Sequence, residues 1–118
     1  MSKRDLILLL EDMLDSALKI KSYAKGLNYD SFLKDEKTID AVIRNFEIIG
    51  EAANRIDPDF RVNNPEIEWQ RMRGFWNRIV HDYFGIDYEI VWSIIENNLI
   101  TLIDGVESII DKENRKNK

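Results

Sequence analysis

The sequence predicts an all-α fold, most simply an antiparallel bundle of four main helices plus a short helical turn. Apolar residues recur at steps of three and four over long windows, and nowhere do they alternate with the period of two that a half-buried strand requires. Breaks at Gly26, at Asp57-Pro58 and at Tyr83-Phe84-Gly85 divide this pattern into separate segments. No internal repeat or low-complexity stretch suggests a different architecture.

Ser2 is placed to cap a first helix from Lys3, in which Leu6, Leu10, Met13, Ala17, Ile20 and Ala24 share a face. Gly26 and the turn-like Asn28-Tyr29-Asp30 end it, and Ser31 is then expected to cap a short turn around Phe32 and Leu33. A second long helix starts at Thr38 and carries Ile39, Val42, Ile43, Phe46, Ile49, Ala53 and Ile56 on one broad face. The segment from Pro58 to Glu68, with its Asn63-Asn64-Pro65, reads as a loop, longer than a bundle connection needs. Trp69 to about His81 forms a third, shorter helix. Asp87 caps a fourth, with one continuous stripe of Ile90, Val91, Ile94, Ile95, Leu99, Leu102, Val106 and Ile109. The polar tail, residues 111–118, is expected to fray.

At 118 residues, with 44% apolar and 33% charged side chains, the chain has room for one core, so a single domain over 1–118 is expected. The lack of cysteine excludes a disulfide framework and any thiolate or sulfur-based zinc chemistry. The apolar stretch in MSKRDLILLL is too short for a signal sequence or a membrane span, which points to a cytoplasmic protein. A net charge of −5 argues against binding polyanions through whole-molecule charge.

That charge is unevenly distributed. Phe84 to Asp111 holds six acids and no Lys or Arg, whereas Arg71 to His81 holds three Arg and the sole His with no acid. This basic island reads either as a solvated helix face or as an anion site, since Arg presents a planar fork of donors suited to phosphate. A lone His is commonly structural, but on an ideal helix Asn77 and Arg78 share the face of His81, and Tyr83 follows two residues later. A general acid or base, a guanidinium, an amide and a phenol so close together suffice in principle for metal-free RNA cleavage by 2′-hydroxyl attack. Tyr83 reads equally well as an aromatic packed at a helix end.

The run from Arg73 to Asp87, RGFWNRIVHDYFGID, resembles the signature of the HepT-like branch of the HEPN ribonucleases, long catalogued as a domain of unknown function. The block from Ala41 to Ala53, AVIRNFEIIGEAA, is similar to that family's other characteristic stretch, and Pro65, Ile67 and Trp69 fit its approach to the third helix. The resemblance covers nearly the whole chain. It implies a HEPN-like, dimeric helical domain acting as a metal-independent endoribonuclease without a cofactor. It further implies the toxin of a type VII-like toxin–antitoxin pair whose partner is a small MNT-type nucleotidyltransferase. His81, Asn77 and Arg78 would then be catalytic, Arg73 and Arg78 would hold the RNA backbone, and Tyr83 would accept the AMP groups that silence the toxin.

One position departs from the family pattern. The motif has an Arg, then four to six residues, then the His, with a polar residue just after the Arg; Asn77 fills the polar place, but Trp76 stands where the Arg belongs. Arg78 lies too near His81 and Arg73 too far to restore the spacing. Trp supplies neither charge nor a bidentate fork, so weak or absent cleavage is expected, and Trp76 reads alternatively as an interface anchor. An adaptor that docks on a nucleotidyltransferase without catalysis is the competing functional class. On the second helix, Arg44, Glu47 and Glu51 are expected to support the site, with Arg44 and Glu51 semi-buried. Glu47 and Glu51 are candidate counter-ions for the basic island, with Glu51 alternatively paired to Arg55, and the two make only a weak metal signal. Two copies meeting at the third helix would form a basic cleft on an acidic dimer.

Overall fold

The computed structural model describes residues 1–74 and 86–116, and among them every regular element is a helix. The first helix, α1 (Lys3–Ala24), is capped by Ser2, whose Oγ accepts from the Asp5 amide at 3.0 Å, and it ends just before Gly26 at φ 80°. That left-handed backbone value favours glycine and turns the chain sharply. The short α2 (Tyr29–Leu33) is capped by Asn28 rather than by Ser31. Ser31 instead completes a reciprocal box, with Asn28 Oδ1 accepting from its amide and its Oγ accepting from the Asn28 amide, both at 2.9 Å.

The long α3 (Glu36–Arg55) starts two residues earlier than the apolar pattern suggests. Asp35 caps it, with Oδ1 taking the Thr38 amide at 3.1 Å and Oδ2 the Thr38 hydroxyl at 2.8 Å. Helix α1 is the centre of the bundle: it packs most extensively on α3 and next on α7, while α2 bridges α3 and α6. Leu10, Met13, Ala17 and Ile20 of α1 are fully enclosed against Val42 and Ala53 of α3 and Val106 and Ile109 of α7. Removing that apolar surface from water is the main stabilising term. The one amide buried in the middle of α3 costs little, because Asn45 Nδ2 donates to the Ala41 carbonyl at 2.8 Å.

Three further parts of the chain depart from the sequence expectation. The segment expected to be a loop from Pro58 contains a helix, α4 (Pro58–Asn63), opened by a proline in its first turn. It is followed by a helical run over residues 69–74, α5. The expected fourth helix is two, α6 (Tyr88–Asn97) and α7 (Leu99–Arg115), with Asp87 capping the first as expected. Asn98 sits between them at φ −120°, yet its amide still reaches the Ile94 carbonyl and its carbonyl still accepts from the Leu102 amide, so both of its backbone groups remain paired across the break. Finally, α7 runs through Arg115, so residues 111–115 are helical rather than part of a loose tail. Glu113 is buried there and takes Lys116 Nζ at 3.0 Å.

Candidate functional site

Five of the residues singled out by sequence, Trp76, Asn77, Arg78, His81 and Tyr83, lie outside the described residues. The structure does describe the approach to them, residues 66–74, and the surfaces against which it is fixed. Ile67 and Trp69 are both buried, and the indole Nε1 of Trp69 donates to the Asn64 carbonyl at 2.9 Å. Glu66 reaches across to α7, its Oε2 3.2 Å from Lys112 Nζ. A hydrogen bond to its own backbone amide, and after it Lys112, holds the Glu66 carboxyl below the usual carboxylate range, against the opposing pull of desolvation.

From this anchored start, α5 presents its arginines. Arg71 pairs with Glu68, the residue just before the helix, Nη1 to Oε2 at 3.0 Å, and both side chains are exposed. Arg73 turns the other way and donates from Nε to Asn54 Oδ1, at the end of α3, at 3.0 Å. One residue earlier on α3, the Ala53 carbonyl accepts from Arg61 Nη1 at 3.1 Å, so adjacent residues of α3 steer guanidinium groups from α4 and α5 toward each other. Desolvation, and then the positive charge of Arg73, lowers the Arg61 pKa from its ordinary value, with Asp57 acting in the opposite sense. Arg61, Arg71 and Arg73 line one open hollow of about 430 Å³ together with Pro58, Val62 and Glu68.

Arg61 is the residue that sequence reasoning missed. It falls in the segment read as a loop, and its relation to Arg73 arises because Ala53 and Asn54, adjacent at the end of α3, hold the two guanidinium groups. No spacing in the sequence signals that relation. A second cavity, about 140 Å³, lies on the other side of residues 66–72, walled by Phe46, Ile49, Ile67, Met72, Leu99 and Leu102. Its lining is chiefly apolar, and it shares only Glu68 and Arg71 with the arginine hollow.

The supporting residues expected on the second helix are placed differently from expectation. Arg44 and Glu51 are exposed, not semi-buried, because they lie on the face of α3 turned away from α1. Arg44 pairs with Glu47 on its own helix at 3.4 Å, an exposed contact of little energetic consequence. The described arginines of the basic island take Glu68 and Asn54 as partners, not Glu47 or Glu51. No Glu51–Arg55 ion pair forms among the described residues. What the described part of the site offers chemically is two guanidinium forks, Arg61 and Arg73, fixed by neutral acceptors beside the Arg71–Glu68 ion pair, an arrangement suited to phosphate oxygens.

Comparison with known proteins places these observations in a family. The family model described as "Ribonuclease HepT-like" matches residues 13–109, a span that includes α3, the arginine hollow and the whole Arg71 to His81 island. A Methanocaldococcus jannaschii protein named "Putative RNase MJ0127" is 39% identical over 110 residues, 93% of this chain and 91% of its own length. The "Probable ribonuclease HepT" of Thermococcus cleftensis is 37% identical over 93 residues, covering 79% of this chain and 84% of its own. A Caldanaerobacter subterraneus protein named "Putative RNase TTE0752" is 32% identical over 104 residues, 88% of this chain and 93% of its own. No solved structure matches the chain. An all-helical chain whose sequence matches that model over most of its length belongs to the ribonuclease HepT-like family.

Proposed function

We propose that this chain is the toxin half of a type VII-like toxin–antitoxin pair, a cytoplasmic, homodimeric and metal-independent endoribonuclease. The observation that carries the reading is the run Arg73 to Asp87 standing inside the span matched by the ribonuclease HepT-like model. In this reading His81 takes the proton from a ribose 2′-hydroxyl, or returns one to the leaving 5′-oxygen. Asn77 orients the imidazole or the phosphate, and Arg78 balances the charge that grows on the phosphorane oxygens. Tyr83 is the acceptor of AMP from an MNT-type nucleotidyltransferase, and a nucleotide phosphate placed two residues from His81 would add negative charge where RNA phosphate must dock.

Trp76 weakens this activity, because the indole supplies no cation at the position where the family pattern has one. Cleavage of RNA by the chain and by its Trp76→Arg variant, run side by side on a gel, tests the proposal. Cleavage by the variant supports it. A variant as inert as the parent, together with a His81→Ala change that leaves growth toxicity untouched, sinks it.

The same Trp76 favours a second reading, a non-catalytic adaptor that docks on the nucleotidyltransferase. Mass spectrometry after incubation with that enzyme and ATP separates the two. A stable complex with Tyr83 unmodified, and no cleavage from the Trp76→Arg chain, is the adaptor outcome.

A further inference from the structure

We propose that Arg61 of α4 and Arg73 of α5 together form a phosphate-binding subsite that holds the backbone of single-stranded RNA. The proposal rests on the ribonuclease reading and adds to it a residue outside the Arg73 to Asp87 run.

Two guanidinium groups drawn together without a carboxylate between them repel one another, so the arrangement costs stability unless an anion occupies it. Each is tied by a neutral acceptor instead: the Ala53 carbonyl for Arg61 and Asn54 Oδ1 for Arg73. These are the only side-chain hydrogen bonds that either arginine makes among the described residues, which leaves most of each fork's donors available. The acids nearby are engaged elsewhere. Glu68, in the same hollow, is 3.0 Å from Arg71, and Asp57, which faces Arg61, lies 3.7 Å from the amino group of Met1.

The shape of the hollow distinguishes a polymer from a small anion. It is broad and open, and beside the arginines it presents Pro58 and Val62, the latter 78% exposed. Exposed apolar surface next to guanidinium groups suits a ribose or an unstacked base flanking the bound phosphate, which a free phosphate ion does not need. The hollow also receives Arg73, which heads the sequence run that continues to His81.

Anisotropy of a fluorescein-labelled single-stranded RNA titrated with the full chain, in a His81→Ala background that prevents turnover, tests the subsite across a range of salt concentrations. Arg61→Gln and Arg73→Gln should each weaken binding about tenfold, as expected for losing a charge-assisted hydrogen bond. Each should also lower the slope of log affinity against log salt by about 0.7. Asn54→Asp provides a variant whose fold does not depend on losing an arginine. A carboxylate placed on Arg73 competes with RNA phosphate, so affinity falls while the helical circular dichroism of the chain is retained.

Binding unchanged in Arg61→Gln and Asn54→Asp at every salt concentration overturns the subsite and leaves the ribonuclease reading standing. Inorganic phosphate binding that is lost in Arg61→Gln while RNA affinity in that variant is unchanged marks a free-phosphate site and overturns the RNA assignment. No RNA bound by the parent also overturns the subsite. The ribonuclease reading is judged separately, on cleavage by the Trp76→Arg chain.

Discussion

Trp69 Nε1 donates to the Asn64 carbonyl at 2.9 Å, and this buried bond fixes where α5 begins. Asn64 is itself buried, and its side chain is spent on the Phe60 carbonyl at 2.8 Å, so the indole joins the end of α4 to the start of the island-bearing helix. Trp69→Phe keeps most of the apolar packing but leaves that carbonyl without its donor. The loss should cost about 1–3 kcal/mol. Urea unfolding should show the midpoint falling with an unchanged slope, since the surface exposed on unfolding is nearly the same.

A five-residue helix such as α2 has too few turns to stand alone, and what holds it is Phe32. That ring is fully buried, its centroid 5.1 Å from the Trp92 ring of α6 at a tilt of 35°. Phe32→Ala should cost about 3–5 kcal/mol, because it removes a large side chain and leaves a cavity that rigid neighbours cannot close. Hydrogen exchange will localise the loss. The amides of α2 should exchange faster than those of α3, whereas uniform acceleration would mean that α2 and the bundle unfold as one unit.

How far the fold was legible follows from where its signals reside. The bodies of α1 and α3 could be read because each buries one stripe over many turns, and local residues mark their limits: Ser2 and Gly26 for α1, and Ile56 before Asp57-Pro58 at the end of α3. Helix α4 was invisible because it buries no residue and so prints no apolar period. The bend at Asn98 was invisible for the opposite reason, since the apolar stripe passes straight through it. The unbroken polar run from residue 111 makes residues 111–115 look like a tail, although they remain helical on the end of α7 and bury Glu113. In the site, Arg73 was legible from the motif, whereas Arg61 required knowing that Ala53 and Asn54 gather both arginines at the end of α3. Exposure of Arg44 and Glu51 was misjudged because their apolar neighbours in sequence point to the opposite face of α3.

Trp76→Arg should raise RNA cleavage by about 10²–10³-fold, the usual worth of a donor aimed at developing negative charge. Adding His81→Ala to that variant should remove about 10²–10⁴-fold, the range of general acid–base catalysis. Single-turnover rates on a labelled RNA check both numbers. If the double variant cleaves as fast as Trp76→Arg alone, His81 is not the proton-transfer group.

Gly105, inside α7, faces the backbone that leads to the site. A Cβ at this position would stand 3.2 Å from Ile67 Cγ1 and 3.4 Å from the Glu66 carbonyl oxygen. Replacing a mid-helix glycine with alanine ordinarily gains about 1 kcal/mol. Here Ile67 is only 3% exposed and has little room to retreat, and crowding a packed core costs about 1–3 kcal/mol. Gly105→Ala should therefore be neutral to destabilising by about 2 kcal/mol, and Gly105→Val clearly worse. A thermal melt that places Gly105→Ala well above the parent would show that residues 66–67 yield freely.

The cap of α3 carries a pH dependence with a definite sign. The Asp35 carboxyl is held below its ordinary pKa, chiefly by the Thr38 hydroxyl and next by the Thr38 amide, with Lys37 assisting and desolvation opposing. A carboxylate whose folded pKa is depressed stabilises the fold fully above its unfolded value, near about 3.9, and loses that contribution as pH falls through the lower folded value. The parent should therefore melt above Asp35→Ala at neutral pH, and the gap should narrow only below about pH 4. Comparing the two chains cancels the titration of the other carboxylates. Thr38→Val supplies the control: it removes the hydroxyl donor but keeps the amide, so its gap to the parent should narrow over the same acid range yet be smaller at neutral pH. A gap that stays constant down to about pH 2 would mean that Asp35 caps α3 through its polarity alone, without help from its charge.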